Sequence, residues 1–247
     1  MRVRTGAALV GGLGAAAGQF APAATFFPPV RRLAEPWVLC RATTGRSEVA
    51  ITFDDGPDPD MAPRFIDLLG HTPATFFWLG WRVRARRDLV ERAVANGHEI
   101  ACHGDDHRTL ARLGPRATVA ALERARDSIA EAAGRTPAFY RPAYGVWNGT
   151  AWAIAPRLGM QRTLWCKWAW DWHAQTTSPH IVQRILRGAA PGAILLLHDA
   201  GGAPGAPKRT LAALPEILDG LRERGLRPVT LSELVAPTGA GPTAHGG

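Results

Sequence analysis

The chain has 247 residues, of which 46% are hydrophobic and 20% are charged, and its formal net charge is +8. This length and composition suit a single globular domain, or at most two small ones. A basic chain attracts anionic partners such as cell-wall polymers or lipid headgroups, but the basic residues are scattered and no standard nucleic-acid-binding module is present, so we predict no nucleic-acid partner.

The first 47 residues are predicted to form a leader. A Gly/Ala-rich stretch over residues 5–24 is only weakly hydrophobic and is interrupted by Gln19 and Pro22. It is too broken for a transmembrane helix, which needs about 20 strongly apolar residues. Two interpretations stay open for it: a weak export signal or membrane-associated segment, and a disordered leader. The first favours the cell envelope or secretion over the cytoplasm.

From residue 48 the chain alternates short apolar runs with amphipathic segments. The runs have the character of buried parallel strands and cover residues 49–53, 74–79, 99–102, 138–140, 161–167, 193–197 and 227–230. The amphipathic segments end just before a glycine, the expected helix stop, and cover residues 62–69, 86–96, 115–133, 148–158 and 208–224.

Strand–helix alternation implies a parallel sheet with right-handed crossovers, and about seven such units would form one closed or nearly closed barrel. We therefore predict a single α/β domain, a (β/α)7 barrel, over residues 48–235. The Gly/Pro/Thr-rich tail over residues 236–247 is predicted to be disordered.

Polar residues follow three of the predicted strands, at the carboxyl ends where such a barrel collects its chemistry. The first strand ends in Asp54-Asp55-Gly56-Pro57. Two adjacent carboxylates are costly unless a positive charge lies beside them, and a bound cation would supply it. A simple turn is the alternative for this segment, because Asp-Gly-Pro is good turn chemistry.

The third strand ends in His103-Gly104-Asp105-Asp106-His107, and the sixth in His198-Asp199. Two histidines four residues apart lie on one face if this turn is helical, and neutral imidazoles suit Zn²⁺ and similar ions. An exposed polar loop is the alternative. With Asp55, the pair would form a two-His, one-carboxylate site with positions left for water and substrate. The three cysteines are odd in number and widely spaced, which argues against a CxxC-type zinc site.

Five segments in order along the chain carry these and other polar residues: Thr52-Phe53-Asp54-Asp55-Gly56-Pro57, His103-Gly104-Asp105-Asp106-His107, Arg141-Pro142-Ala143-Tyr144-Gly145, Asp171-Trp172 and Leu196-Leu197-His198-Asp199. Over roughly residues 49–234 they resemble the polysaccharide deacetylases related to the nodulation chitooligosaccharide deacetylase, carbohydrate esterase family 4. The resemblance implies a distorted barrel of β/α units. It also implies a metal-dependent hydrolase that removes N-acetyl groups from a carbohydrate, such as a cell-wall glycan, a chitin oligomer or a small N-acetyl glycoside.

The resemblance assigns roles to the matching residues. One divalent ion, zinc or alternatively Co²⁺, Mn²⁺ or Ni²⁺, is implied at Asp55, His103 and His107. Asp54 is implied as the general base, with Arg141 beside it to keep it ionised, and His198 as the general acid.

Substrate contacts are implied as well. The main-chain N–H of Tyr144 would stabilise the oxyanion, and Leu196 would line the pocket for the acetyl methyl group. Trp172, together with Trp168, would form a wall of the substrate groove.

Two positions depart from the family pattern. Gly104 stands where the family usually has Ser or Thr, whose hydroxyl braces the loop, so we expect Gly104→Ser to bind metal equally or more tightly. Trp168 stands where the family often has a further Asp, three residues before the Asp171-Trp172 pair. Asp171 and Asp199 are therefore both candidates for the carboxylate that tunes Arg141 or His198.

Three other functions compete with N-deacetylation. One is a carbohydrate-binding protein that keeps the fold but lacks turnover, and another is O-acetyl ester hydrolysis on xylan-type substrates. The third is a metal-independent amidase acting on cyclic ureides or imides, against which the histidine pair argues. The expected partner is an acetylated carbohydrate, with peripheral membrane or anionic cell-wall association as a further expectation. Nothing in the sequence indicates the oligomeric state.

Overall fold

The computed structural model describes residues 19, 21–26 and 28–237. Residues 1–18, 20 and 27 of the predicted leader and residues 238–247 of the predicted tail lie outside the described residues. The strands are β1 (Glu48–Asp54), β2 (Thr75–Trp78), β3 (Glu99–Cys102), β4 (Phe139–Tyr140), β5 (Gln161–Arg162), β6 (Lys167–Trp168), β7 (Ile194–His198) and β8 (Arg227–Val229).

The α-helices are α1 (Pro28–Ala34), α2 (Ala62–Leu69), α3 (Gly80–Ala85), α4 (Arg87–Ala95), α5 (Pro115–Ala133), α6 (Gly149–Arg157), α7 (Ser178–Gly188), α8 (Ala206–Glu223) and α9 (Leu231–Val235). Short 3-10 helices cover Ala21–Phe26, Leu110–Arg112 and Ala143–Gly145. Among the described residues, no helix has both the length and the apolar character needed to cross a bilayer.

The strands form one parallel sheet in the order β5-β4-β3-β2-β1-β7-β6. All seven residues of β1 are buried, as expected for a central strand that is covered on both faces. β8 pairs with the first residues of β1 and β2 with its last residues, so these two strands follow one another along the same edge of β1. The carboxyl ends of the strands therefore gather at one end of the sheet.

A single stretch of chain bridges the two outer edges of the sheet. Residues 161–167 were predicted to form one strand, but they divide into β5, which pairs with β4, and the first residue of β6, which pairs with β7. The sheet therefore curls until its two edge strands are separated by residues 163–166 alone. This topology is the predicted distorted (β/α)7 barrel, built as a curled half-barrel in one domain.

The predicted helices over residues 62–69 and 115–133 have the observed bounds. The helix predicted over residues 86–96 corresponds to α4, which is one residue shorter at each end. Helix α3, which directly precedes it, was not predicted. Helix α7 was also not predicted. It buries Ile181, Val182 and Ile185 on one face and packs against α8, which places it beside the edge strand β6.

Part of the stretch before residue 48 packs against the barrel. Val38, Cys40 and Ala42 are buried. Leu39 forms a bridge with Thr163, and residue 41 forms one with residue 193. These residues thus lie against the stretch that closes the sheet.

Candidate active site

The site lies where β1, β3, β4 and β7 end. In the register of the sheet, Asp54 at the end of β1 pairs with His198 at the end of β7. Cys102 at the end of β3 pairs with Tyr140, so the residues that follow them, His103 and Arg141, are neighbours. The strand ends therefore bring the predicted site residues to one place.

Asp55, His103 and His107 have ligand atoms that all lie within 4.8 Å of one another. The distance from Asp55 Oδ1 is 3.3 Å to His103 Nε2 and 3.0 Å to His107 Nε2. His103 Nδ1 lies 2.9 Å from the main-chain oxygen of Arg141. A neutral His103 that donates from Nδ1 therefore directs the lone pair of Nε2 at the carboxylate.

These three residues fit a divalent cation. A carboxylate oxygen and an imidazole lone pair 3.3 Å apart repel each other unless a positive charge lies between them. Asp55 Oδ1 is also buried and has no hydrogen-bond partner among the described residues. Burial raises the pKa of Asp55, but His103 and His107, when they donate N–H groups to the carboxylate, and the charge of His198 outweigh burial and lower the pKa well below its usual range. The carboxylate is therefore charged and available as a ligand.

The segment from His103 to His107 is a loop and not the helical turn on which the predicted shared face depended. Gly104 within it has a φ of 93°, which L side chains rarely adopt. A Cβ at this position would meet only ordinary contacts, so the cost of a side chain lies in the backbone. This finding argues against the expectation that Gly104→Ser would bind metal equally or more tightly.

Other groups brace this loop in place of a hydroxyl at position 104. The buried carboxylate of Asp105 accepts a hydrogen bond of 2.7 Å from Arg84 and two of 3.1 Å from Arg124. The main-chain N–H of Gly80 donates to Gly104 O at 2.9 Å. A Cβ on Gly80 would lie 2.8 Å from Ala125 Cα, so only glycine allows α3 this close to α5 and the loop.

Asp54 is held by a fully buried arginine. Arg141 Nη1 donates to Asp54 Oδ1 at 2.6 Å and to Thr52 Oγ1 at 3.0 Å, while its Nη2 donates to Leu164 O at 2.9 Å. The guanidinium also lies 3.8 Å from the ring centroid of Phe77. Because both terminal nitrogens of Arg141 are held by hydrogen bonds, the guanidinium fixes the orientation of Asp54, whose Oδ2 lies 3.8 Å from His103 Nε2.

At the end of the neighbouring strand β7, Asp171 contacts His198. Asp171 Oδ1 lies 3.0 Å from His198 Nδ1, and Oδ2 accepts hydrogen bonds from His198 N at 2.7 Å and from Thr210 Oγ1 at 3.0 Å. Burial by itself would lower the pKa of His198, but the charge and hydrogen bond of Asp171 raise it to about 9. His198 is therefore an imidazolium at neutral pH.

Asp199, the other candidate partner, lies elsewhere. Its Oδ2 accepts a hydrogen bond of 2.9 Å from Trp78 Nε1, and burial raises its pKa to about 7. Within the described part of the chain it bonds to neither Arg141 nor the His198 imidazole. Asp171 is thus the carboxylate beside His198, and Asp54 the one beside Arg141.

The remaining predicted residues surround these groups. Tyr144 is 56% exposed with a φ of 61°, and its ring meets that of His107 edge-on at 4.5 Å. Leu196 is 2% exposed and is paired with Thr52 across the sheet. The Trp172 ring lies 5.0 Å from that of His198. The structure therefore brings all ten predicted site residues to the same end of the barrel.

Several supporting groups of the site were not predicted from the sequence. Thr52 and Thr210 bond to site residues, and neither received a role, although Thr52 lies within one of the quoted segments. The ion pairs of Asp105 with Arg84 and Arg124 join parts of the chain that only the fold brings together. No sequence signal distinguishes these arginines from the many others.

Comparison with known proteins shows the family to which the chain belongs. Residues 41–163 match the family model for polysaccharide deacetylase. The chain is 34% identical over 221 residues to a peptidoglycan-N-acetylglucosamine deacetylase of Bacillus cereus, covering 83% of this chain and 97% of the relative. It is 34% identical over 203 residues to a chitooligosaccharide deacetylase of Bradyrhizobium, covering 77% of this chain and 92% of the relative.

A solved structure of a peptidoglycan N-acetylglucosamine deacetylase superposes with a TM-score of 0.74 at 28% identity, covering 79% of this chain and 91% of that one. The family model, the sequence identity to the two deacetylases and the shared fold therefore all point to the same family. The chain belongs to the polysaccharide deacetylase family, the carbohydrate esterases of family 4.

Proposed function

We propose that this protein is a metal-dependent hydrolase that removes N-acetyl groups from a carbohydrate. One observation carries the proposal: a cluster that fits a cation lies between a buried Asp–Arg pair and a buried Asp–His pair. Hydrolysis of an amide needs a base for the attacking water and an acid for the departing amine. The two pairs supply these at one site.

Asp55, His103 and His107 would hold the divalent ion. Oxygen and imidazole nitrogen donors of this kind suit zinc, with Co²⁺, Mn²⁺ and Ni²⁺ as alternatives. When bound, such an ion lowers the pKa of water and polarises a carbonyl oxygen. The orphaned Asp55 Oδ1 and the fixed His103 tautomer support the assignment.

Asp54 acts as the general base. It takes a proton from the attacking water while the water oxygen bonds to the acetyl carbonyl carbon. Arg141 directs this carboxylate, since it donates to Asp54 Oδ1 at 2.6 Å from a fully buried position. The main-chain N–H of Tyr144 stabilises the negative oxygen of the tetrahedral intermediate.

His198 acts as the general acid. Its proton passes to the sugar nitrogen as the C–N bond breaks, and acetate and the free amine result. An amine leaves poorly without this proton, whereas the alcohol of an ester needs it less. The His198 pKa of about 9 keeps the acid form present at neutral pH, as amide cleavage requires. Leu196 lines the space for the acetyl methyl group, and Trp172 forms a wall of the sugar groove.

The substrate is an acetylated glycan, and the relatives named as deacetylases of peptidoglycan and chitooligosaccharide support both as candidates. We propose that the protein acts at the cell envelope. The +8 charge supports association with anionic cell-wall polymers or lipid headgroups.

The test is acetate release by the zinc-loaded chain from N-acetylchitooligosaccharide, peptidoglycan fragments and acetylated xylan. We expect release from at least one of the two N-acetyl substrates, loss of release with a chelator, and recovery on adding zinc. Binding of these glycans with no acetate released from any of them would instead support the non-catalytic carbohydrate-binding alternative. Release from xylan alone would establish the esterase alternative.

A further inference from the structure

A cavity of about 630 Å³ opens beside the edge strand β6, away from the metal-ligand cluster. Its size is within the usual range for ligand sites. The residues lining it include four cations and two exposed or partly exposed indoles: Arg41, Lys167, Arg184, Arg187, Trp168 and Trp170. Glu35 is the one acidic residue in the lining. The cavity is thus basic and aromatic together.

The four cations carry no carboxylate partner within the described part of the chain. Arg41 donates to Pro191 O at 3.1 Å and Arg184 to Ala169 O at 2.9 Å, so each keeps further N–H donors for a ligand. Other arginines, such as Arg227, are paired with carboxylates. Guanidinium groups bind oxyanions through paired hydrogen bonds. The cavity therefore suits a carboxylate or a phosphate.

Trp170 carries a second, independent signal. Its φ is 57°, a conformation that is costly for a bulky side chain, yet the side chain is 46% exposed and the core gains little from it. Strain of this kind tends to persist at functional positions. An exposed indole offers the flat apolar face on which a sugar ring packs.

A continuous row of rings connects this cavity with the catalytic histidine. The centroid distances are 5.6 Å from Trp168 to Trp170, 5.4 Å from Trp170 to Trp172, and 5.0 Å from Trp172 to His198. A glycan whose scissile group lies at His198 would reach the cavity within a few sugar rings along this row.

We propose that this cavity is a subsite for an anionic sugar of the substrate chain, with Trp170 packing against the ring and the four cations binding its carboxylate or phosphate. This inference rests on the proposed function and extends it to the substrate class. It predicts that the protein prefers an acidic glycan to a neutral one of equal length.

The test compares three oligosaccharides of equal length with the zinc-loaded protein: a neutral N-acetylchitooligosaccharide, one whose alternate sugars carry an O-lactyl carboxylate, and one that carries a phosphate ester. Binding is measured by calorimetry and KM by acetate release. The anionic chains should bind about tenfold more tightly than the neutral chain, and the advantage should fall at high salt. The carboxylate and phosphate arms identify which anion is preferred.

The double variant Lys167→Gln/Arg187→Gln should lose most of this advantage, and Arg187→Glu should reverse it. Arg116→Gln/Arg135→Gln is the matched control, because it removes the same charge from exposed positions outside the cavity. Equal binding of the neutral and anionic chains, or equal losses in both double variants, would overturn the subsite. Calorimetry decides this without turnover, so it is distinguishable from a failure of the deacetylase activity itself.

Discussion

Replacing Asp171 by Asn tests how the general acid is kept protonated. Asp171 Oδ1 lies 3.0 Å from His198 Nδ1, and its charge is the chief cause that raises the pKa of His198 from 6.5 to about 9 against the effect of burial. A cation held by Asp55 would offset the charge of that carboxylate, which leaves Asp171 as the main group that raises the His198 pKa. Asparagine keeps the shape, and its oxygen can still accept from Thr210.

The pH range in which activity is lost follows from the raised pKa of His198. Because the pKa of His198 is raised, the acid form persists through neutral pH and is lost as pH rises through about 9. Without the charge of Asp171, burial should bring the pKa of His198 back toward its ordinary 6.5, because only Asp55 and Asp54 then raise it. At about pH 7.5 the acid form of the variant then falls to roughly a tenth or less, and kcat/KM should fall by about tenfold or more.

The assay is the pH dependence of kcat/KM for acetate release, with zinc content measured alongside. We expect the alkaline limb to move toward acid by about 2 pH units, with zinc content unchanged because Asp171 lies outside the ligand cluster. Asp219→Asn, at an exposed ion pair on α8, is the control. An alkaline limb at the wild-type position, or a loss of activity equal at every pH, would refute the reasoning.

Four further outcomes are expected. Asp54→Asn should retain zinc but lose activity by roughly a hundredfold or more; activity near that of the wild type would refute its role as base. His103→Ala should lower the zinc stoichiometry measured by atomic absorption, and an unchanged stoichiometry would contradict the ligand assignment. Asp105→Ala should weaken zinc binding and lower the free energy of unfolding by about 1–2 kcal/mol, discounted because both arginine partners are partly exposed; unchanged zinc affinity would show that the loop is braced otherwise. Burial lowers the pKa of His98 from 6.5 to about 4. As pH falls below 6.5, the unfolded state therefore takes up a proton before the folded state does. The free energy of unfolding should fall by roughly 3 kcal/mol between pH 6.5 and about pH 4. In urea titrations His98→Leu should flatten this acid loss, and an equally steep loss would contradict it.

Local patterns predicted some elements better than others. Helices α2 and α5 end at glycines and have strong apolar periodicity, and their bounds were predicted to the residue. The stretch over residues 161–167 is apolar throughout, so nothing in it marks where pairing changes from β4 to β7. That change depends on the curl of the whole sheet, because the two edge strands must be brought together before one stretch can bridge them.

The same distinction holds in the candidate site. The order of Asp54, Asp55, His103 and His198 at the ends of apolar runs was enough to indicate a cation and an acid–base pair, because parallel strands expose their carboxyl ends together. The choice between Asp171 and Asp199 as the partner of His198 was not visible in the sequence. Asp199 is adjacent to His198 in the chain, yet its carboxylate bonds to Trp78.

Sequence by itself determined the class of fold, the ligand types and the family, since these depend on residue identity, spacing and periodicity. Only the tertiary structure decided which groups support the loop after β3 and which carboxylate keeps the acid protonated. It also decided that cations with no carboxylate partner among the described residues gather around Trp170. Such contacts join residues far apart in the chain, and their energies depend on distance and burial, which no local pattern encodes.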